Sequence, residues 1–211
     1  MRLDPRSLSV YVVTSSGGAR GRGHLEIAAA ALAGGATAVQ LRAPELNDDA
    51  LLPLAIEIAE RCRSAGVLFV VNDRVEIAAA VGAGAHVGQD DDPSAARGLL
   101  GPDAVLGISV RNLDDVAVAE RAGADYLGVT VFSTSTKPNA RPIGLHGLRQ
   151  IVAATSLPVV GIGGIDGPNA RDVLTAGAAG IAVISAVAEA VDPVTATRGL
   201  VDAVNRAGAA R

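Results

Sequence analysis

One short phrase recurs along the chain and limits the folds open to it. A helix ends, glycine and alanine follow, and an apolar run begins: AGGATAVQL from Ala33, VGAGAHVGQ from Val81, AGADYLGV from Ala122 and AGAAGIAVI from Ala176. The glycine supplies the left-handed cap that stops a helix, and the next residues drop into a sheet. The runs are apolar almost throughout, as strands are when helices cover a parallel sheet. Between the recurrences the same alternation continues. Strands are expected at Leu8 to Thr14, Ala38 to Leu41, Leu68 to Val71, up to His86–Val87, Val105 to Ser109, Asp125 to Val131, Pro158 to Ile162 and Ile181 to Ile184. Helices are expected between them, with Asn47 and Asn112 as caps and Asn169 at the start of another.

Eight such units in 211 residues predict a single (β/α)8 barrel, of the TIM type, over residues 1–211. A doubly wound open sheet is the alternative. Its dinucleotide turn is not met, because SSGGARGRG after the first strand lacks the G-x-G-x-x-G order. With 2% aromatic residues the core is expected to be Ala, Val, Leu and Ile, and base-stacking platforms are excluded. A net charge of −4 argues against nucleic acid as a partner. The lone Cys62 excludes an internal disulfide and is expected to be half-buried. His24 and His146 open helices and are expected to be exposed. No apolar run approaches the roughly 18 residues of a membrane span, which predicts a cytoplasmic protein with no membrane partner. A homo-oligomer is left open.

In a barrel the active site lies at the carboxyl ends of the strands. Those ends are polar or glycine here: Gln40 and Arg42; Asn72 and Asp73; His86; Ser109; Thr130 onward; Gly163–Gly164; Ser185. Three groups stand out. Asp73 and one of Asp90, Asp91 or Asp92 end adjacent strands and suit Mg²⁺, a hard cation that takes one or two carboxylates plus substrate phosphates; helix capping is the other use for them. Ser133 to Lys137, with Thr134 and Thr136, can surround a diphosphate, or be a solvated loop. Gly161 to Ile165 with Ile184–Ser185 offers backbone N–H groups to a phosphate, where many barrels bind one.

The segments VVNDRVEIAAAVGAGAHVGQDD, GADYLGVTVFSTSTKPNA, VVGIGGI and IAVISAV, in that order, resemble the thiamine phosphate synthase (thiamine-phosphate pyrophosphorylase) family. The resemblance implies a barrel enzyme that joins 4-amino-5-hydroxymethyl-2-methylpyrimidine diphosphate to 4-methyl-5-(2-phosphoethyl)thiazole. The products are thiamine phosphate and pyrophosphate. It implies Asp73 and Asp91 as ligands of Mg²⁺, with Asn72 beside them. Arg42, Ser109, Thr134, Thr136 and Lys137 would bind the leaving pyrophosphate. Gln40 and His86 would contact the pyrimidine, with Tyr11 near it, and Gly164, Ile184 and Ser185 would seat the thiazole phosphate. Where the family commonly has Arg-Glu-Lys or Arg-Asp-Lys, this chain has Arg42–Ala43–Pro44. The related thiazole tautomerase is the nearest rival, and a non-catalytic phosphate-ligand sensor is a second. The tautomerase carries histidine in a Ser-Val-His segment that here reads Ser109–Val110–Arg111.

Overall fold

The computed structural model describes residues 3–16, 18–88, 91–133 and 141–209. Eight parallel strands close into a barrel in sequence order: β1 Val10–Val13, β2 Ala38–Leu41, β3 Leu68–Asn72, β4 Gly84–Val87, β5 Leu106–Ser109, β6 Tyr126–Thr130, β7 Val159–Ile162 and β8 Gly180–Val183. The closing pair is β1 on β8, with Tyr11 opposite Ala182. Helices alternate with them: α1 His24–Gly34, α2 Asp48–Ala65, α3 Val75–Val81, α4 Pro93–Leu100, α5 Leu113–Arg121, α6 Gly144–Ala153, α7 Gly167–Thr175, the four-residue α8 Ser185–Ala188 and α9 Pro193–Gly208. The closed order excludes the open doubly wound sheet.

The strand period of two divides the core. One set of side chains, including Val12, Val39, Val71, Ala85, Ile108, Val129 and Val183, points outward and is covered by the helices. The other set fills the barrel: Tyr11, Val13, Ala38, Val70, Tyr126, Val160 and Ala182. The outer layer is the expected aliphatic one. The interior corrects that expectation, because both tyrosines of the chain lie in it, 2% and 1% exposed.

Local chemistry accounts for the element boundaries. Asn47 accepts from the Ala50 N–H and Asn112 from the Asp115 N–H, so both act as the caps expected. Asp166, rather than Asn169, caps α7; Asn169 is the third helical residue and returns the bond, closing a capping box. Leu8 is not in the first strand. Asp4 caps a 3-10 turn, Pro5–Leu8, with proline at its start, and Leu8 plugs the amino end of the barrel. Cys62 is fully buried on α2 rather than half-buried, and burial pushes its thiol up to about 11. His24 is 5% exposed, against the expectation of an exposed residue, while His146 is exposed. No helix among the described residues is long and apolar enough to cross a membrane.

Candidate active site

The alternation that builds the core also sets the site. At the carboxyl ends of β2 to β6 the inward position is polar: Gln40 on β2, Asn72 on β3, His86 on β4, Ser109 on β5 and Thr130 on β6. Parallel register brings neighbours level, with Asn72 opposite His86 and Ser109 opposite Gly128.

These groups are wired together through the barrel interior. The Gln40 Nε2 donates to the Tyr11 hydroxyl at 2.8 Å, and that hydroxyl lies 2.9 Å from the Tyr126 hydroxyl. The Tyr126 hydroxyl lies 3.0 Å from His86 Nδ1, and His86 Nε2 lies 2.9 Å from Ser109 Oγ. Each hydroxyl has one proton to give, so one direction satisfies the whole chain. Gln40 donates to Tyr11, Tyr11 to Tyr126, and Tyr126 to His86 Nδ1. A neutral imidazole then carries its proton on Nε2 and donates to Ser109. The Ser109 hydroxyl keeps its own proton for the cavity. Burial raises both tyrosine pKa values, so both remain neutral donors. The ring stack needs glycine: a Cβ on Gly107 would sit 2.1 Å from the Tyr126 ring, and one on Gly128 2.9 Å from the His86 ring. Tyr11 is buried beneath Gln40, and its hydroxyl is taken up by Gln40 and Tyr126. Tyr126 itself was not singled out from the sequence. The signal was there, a tyrosine between Gly107 and Gly128 in a chain with only two.

Asp73 and Asp91 lie at the ends of β3 and β4, both exposed. Asp73 has φ 62°, and among the described residues it is the one non-glycine with positive φ. Strain of this kind gathers at functional sites. Its N–H donates to the His86 carbonyl at 2.9 Å, fixing it to β4. One Asp91 oxygen accepts from the Gly88 N–H at 2.7 Å, which leaves lone pairs for another partner. Asp92 is accounted for as the cap of α4, while Asp90 lies outside the described residues. The N-cap position before α3 is held by Arg74, one residue after Asp73. An oxygen-only donor set of two carboxylates beside Asn72 fits a hard divalent cation.

Arg42 follows β2 and borders a cavity of about 240 Å³ with Ser15, Ser16, Pro44, Glu45 and Ile184. Glu45 was absent from the sequence reading. Its carboxylate accepts from the Ser16 hydroxyl and lies 2.7 Å from His24 Nε2. Partial burial raises its pKa, but those hydrogen bonds outweigh it and bring the carboxyl down to about 2.

Gly163 and Gly164 turn the chain after β7 with φ 89° and 59°. Each passes so close to residues 132–133 that a Cβ would meet a backbone oxygen at 2.7 or 2.5 Å. Ile184 caps and Ser185 opens α8, directly after β8. Arg22 holds that helix from behind, donating to the carbonyls of Ala188 at 3.0 Å, Ala190 at 2.7 Å and Val191 at 3.0 Å. The expected diphosphate ligands Thr134, Thr136 and Lys137 lie outside the described residues.

A profile of the family described as thiamine monophosphate synthase matches residues 10–187. The chain belongs to the thiamine monophosphate synthase family. Relatives agree along nearly its whole length. The thiamine-phosphate synthase of Moorella thermoacetica is 52% identical over 204 residues, 95% of this chain and 96% of that protein. That of Chloroflexus aurantiacus is 51% identical over 195 residues, 90% of each. The solved thiamine phosphate pyrophosphorylase from Pyrococcus furiosus superposes with a TM-score of 0.88 at 40% identity, covering 96% of this chain and 98% of that one. The family resemblance read from the sequence therefore stands, as does the barrel.

Proposed function

We propose that this chain is a thiamine-phosphate synthase. It would join the pyrimidine diphosphate to the thiazole phosphate and release pyrophosphate. The observation that carries the reading is 52% identity to a synthase across 95% of the chain. The polar strand ends support it with a geometry suited to the reaction.

The chemistry breaks the C–O bond between the pyrimidine methylene and the diphosphate, and forms a C–N bond from the thiazole ring nitrogen to that methylene. The electron pair leaves with the diphosphate oxygen. Charge gathers on the departing group, so donors and cations aimed at it lower the barrier. Arg42 and Ser109 serve there, joined by Thr134, Thr136 and Lys137. The proton that the network leaves on Ser109 is a donor to the departing oxygens. Asp73 and Asp91, with Asn72 beside them, would hold Mg²⁺, which when bound would neutralise part of the diphosphate charge. Gln40 and His86 orient the pyrimidine, with Tyr11 and Tyr126 holding both in place. The glycine turn at Gly164, with Ile184 and Ser185 at the start of α8, seats the thiazole phosphate on backbone N–H groups.

The tautomerase alternative is disfavoured at Arg111, which occupies the position of that enzyme's histidine. Its N–H donates to Asp115 at 2.8 Å and its guanidinium lies 3.6 Å from the same carboxylate. Expression in a thiamine-requiring bacterium that lacks its own synthase tests the reading. Growth without thiamine is expected, and soluble protein without growth contradicts it.

A further inference from the structure

Glu45 is an acid that the assignments above leave unused. It stands three residues beyond Arg42 in the β2–α2 connection. Its carboxylate turns back over the rim to the β1–α1 connection, 2.7 Å from His24 Nε2. His24 Nδ1 lies 2.8 Å from Thr14 Oγ1, and that oxygen accepts the Arg42 N–H at 3.2 Å. Thr14 is fully buried, and its own N–H donates to the Gln40 carbonyl at 2.8 Å. The chain of bonds therefore leaves Glu45 and returns to the main chain at Arg42.

With a neutral His24 the protons of this loop fit together. Thr14 Oγ1 accepts from Arg42 and gives its single proton to His24 Nδ1. A neutral imidazole then has its proton on Nε2 and donates it to Glu45. An acceptor held on one nitrogen fixes the tautomer and the ring, as outer partners do for ligating histidines. The Ser16 hydroxyl donates to the same carboxylate and draws the β1–α1 loop onto it. No buried side-chain polar atom among the described residues is left unpaired.

We propose that Glu45 is a positioning residue for the diphosphate site. Through His24 and Thr14 it fixes the main chain at Arg42, and so the guanidinium that meets the leaving group. The inference rests on the assignment of Arg42 to the diphosphate. Glu45 acts as a hydrogen-bond acceptor here, so glutamine, which keeps a carbonyl oxygen at the same place, replaces it. Alanine does not.

The test is binding of inorganic pyrophosphate with Mg²⁺, measured by calorimetry, alongside steady-state kinetics on the wild type, Glu45→Ala and Glu45→Gln. The Glu45 side chain is 43% exposed, so both variants retain the packed core. Loss of the two hydrogen bonds that one Glu45 oxygen accepts predicts pyrophosphate affinity weaker by roughly tenfold in Glu45→Ala. The KM for the pyrimidine diphosphate rises in parallel, and that for the thiazole phosphate stays within about twofold. Glu45→Gln stays near wild type in all three. Unchanged affinity in Glu45→Ala overturns the inference. So does a Glu45→Gln variant as impaired as Glu45→Ala, which makes the charge itself the active feature. Absence of pyrophosphate binding by the wild type also overturns it. Because binding needs no turnover, a wild type that binds pyrophosphate but forms no thiamine phosphate contradicts the synthase reading alone.

Discussion

The hydroxyls of Tyr11 and Tyr126 lie 2.9 Å apart inside the barrel, with the two rings edge to face at 6.1 Å. They come from β1 and β6, three strands apart around the closed barrel, and meet across its interior. Together they carry hydrogen bonding from Gln40 to His86. A chain poor in aromatic residues has placed both tyrosines directly beneath the polar rim.

Tyr126→Phe removes the hydroxyl that Tyr11 and His86 share. The buried Tyr11 hydroxyl and the part-buried His86 Nδ1 each lose this bond, at a cost of about 1–3 kcal/mol. Thermal unfolding is expected to move down by roughly 2–4 °C per kcal/mol for a chain of this size. The catalytic rate falls as well, because His86 loses the bond on Nδ1 that orients it toward Ser109. Unchanged melting and turnover would show the hydroxyl to be idle.

Asp73→Asn separates metal binding from backbone strain. Asparagine tolerates the left-handed conformation about as well as aspartate, so stability is expected to stay within about 0.5 kcal/mol. Mg²⁺-dependent turnover is expected to fall by at least about a hundredfold, since the ionised ligand is gone. Alanine is a poorer probe, because its Cβ is strained at φ 62°. Near-normal turnover in the asparagine variant would make Asp73 a structural residue.

Glu45 gives the protein an acid dependence of known sign. Its carboxyl is held at about 2 in the folded state against an ordinary value of 4.5. A depressed acid stabilises the fold above its unfolded pKa, and that contribution fades as pH falls from about 4.5 toward about 2. With 43% of the side chain exposed, solvent screens the effect and it is small. The melting temperature of the wild type is expected to exceed that of Glu45→Ala by more at pH 6 than at pH 2. A constant gap contradicts this.

Pro44 is exposed beside Arg42, whereas Ala43 is buried in the outer core. Restoring the lysine common in the family is therefore possible at position 44 without burying a glutamate at 43. Pro44→Lys is expected to lower the KM for the pyrimidine diphosphate several-fold, through a second cation near the leaving group. An unchanged KM shows that Arg42 and the lysine loop suffice.

The barrel was legible because its signal is repeated. The same helix stop, glycine and apolar run recurs, and each strand is apolar on both faces. The rim residues Gln40, Asn72, His86 and Ser109 were legible as polar ends of such strands. What connects them was not, because hydrogen bonds between β1 and β6 have no spacing in the sequence. Tyr11 and Tyr126 are 115 positions apart. His24 read as a surface residue, since a histidine at a helix start is usually solvated. Its burial follows from Thr14 and Glu45, which approach only once β1 and β2 pair. Glu45 looked like any acid before a helix. Four-residue α8 was too short to stand out, and the cap of α7 at Asp166 was read three residues late, at Asn169, its partner in one capping box.

The most direct measurement of the central claim is a product balance. Purified protein, both substrates and Mg²⁺ are incubated, and thiamine phosphate and pyrophosphate are quantified over time. The account predicts that the two appear in equal amounts, and that neither forms when the thiazole phosphate is left out. Neither product at high protein concentration, or thiazole isomerisation in their place, would contradict it.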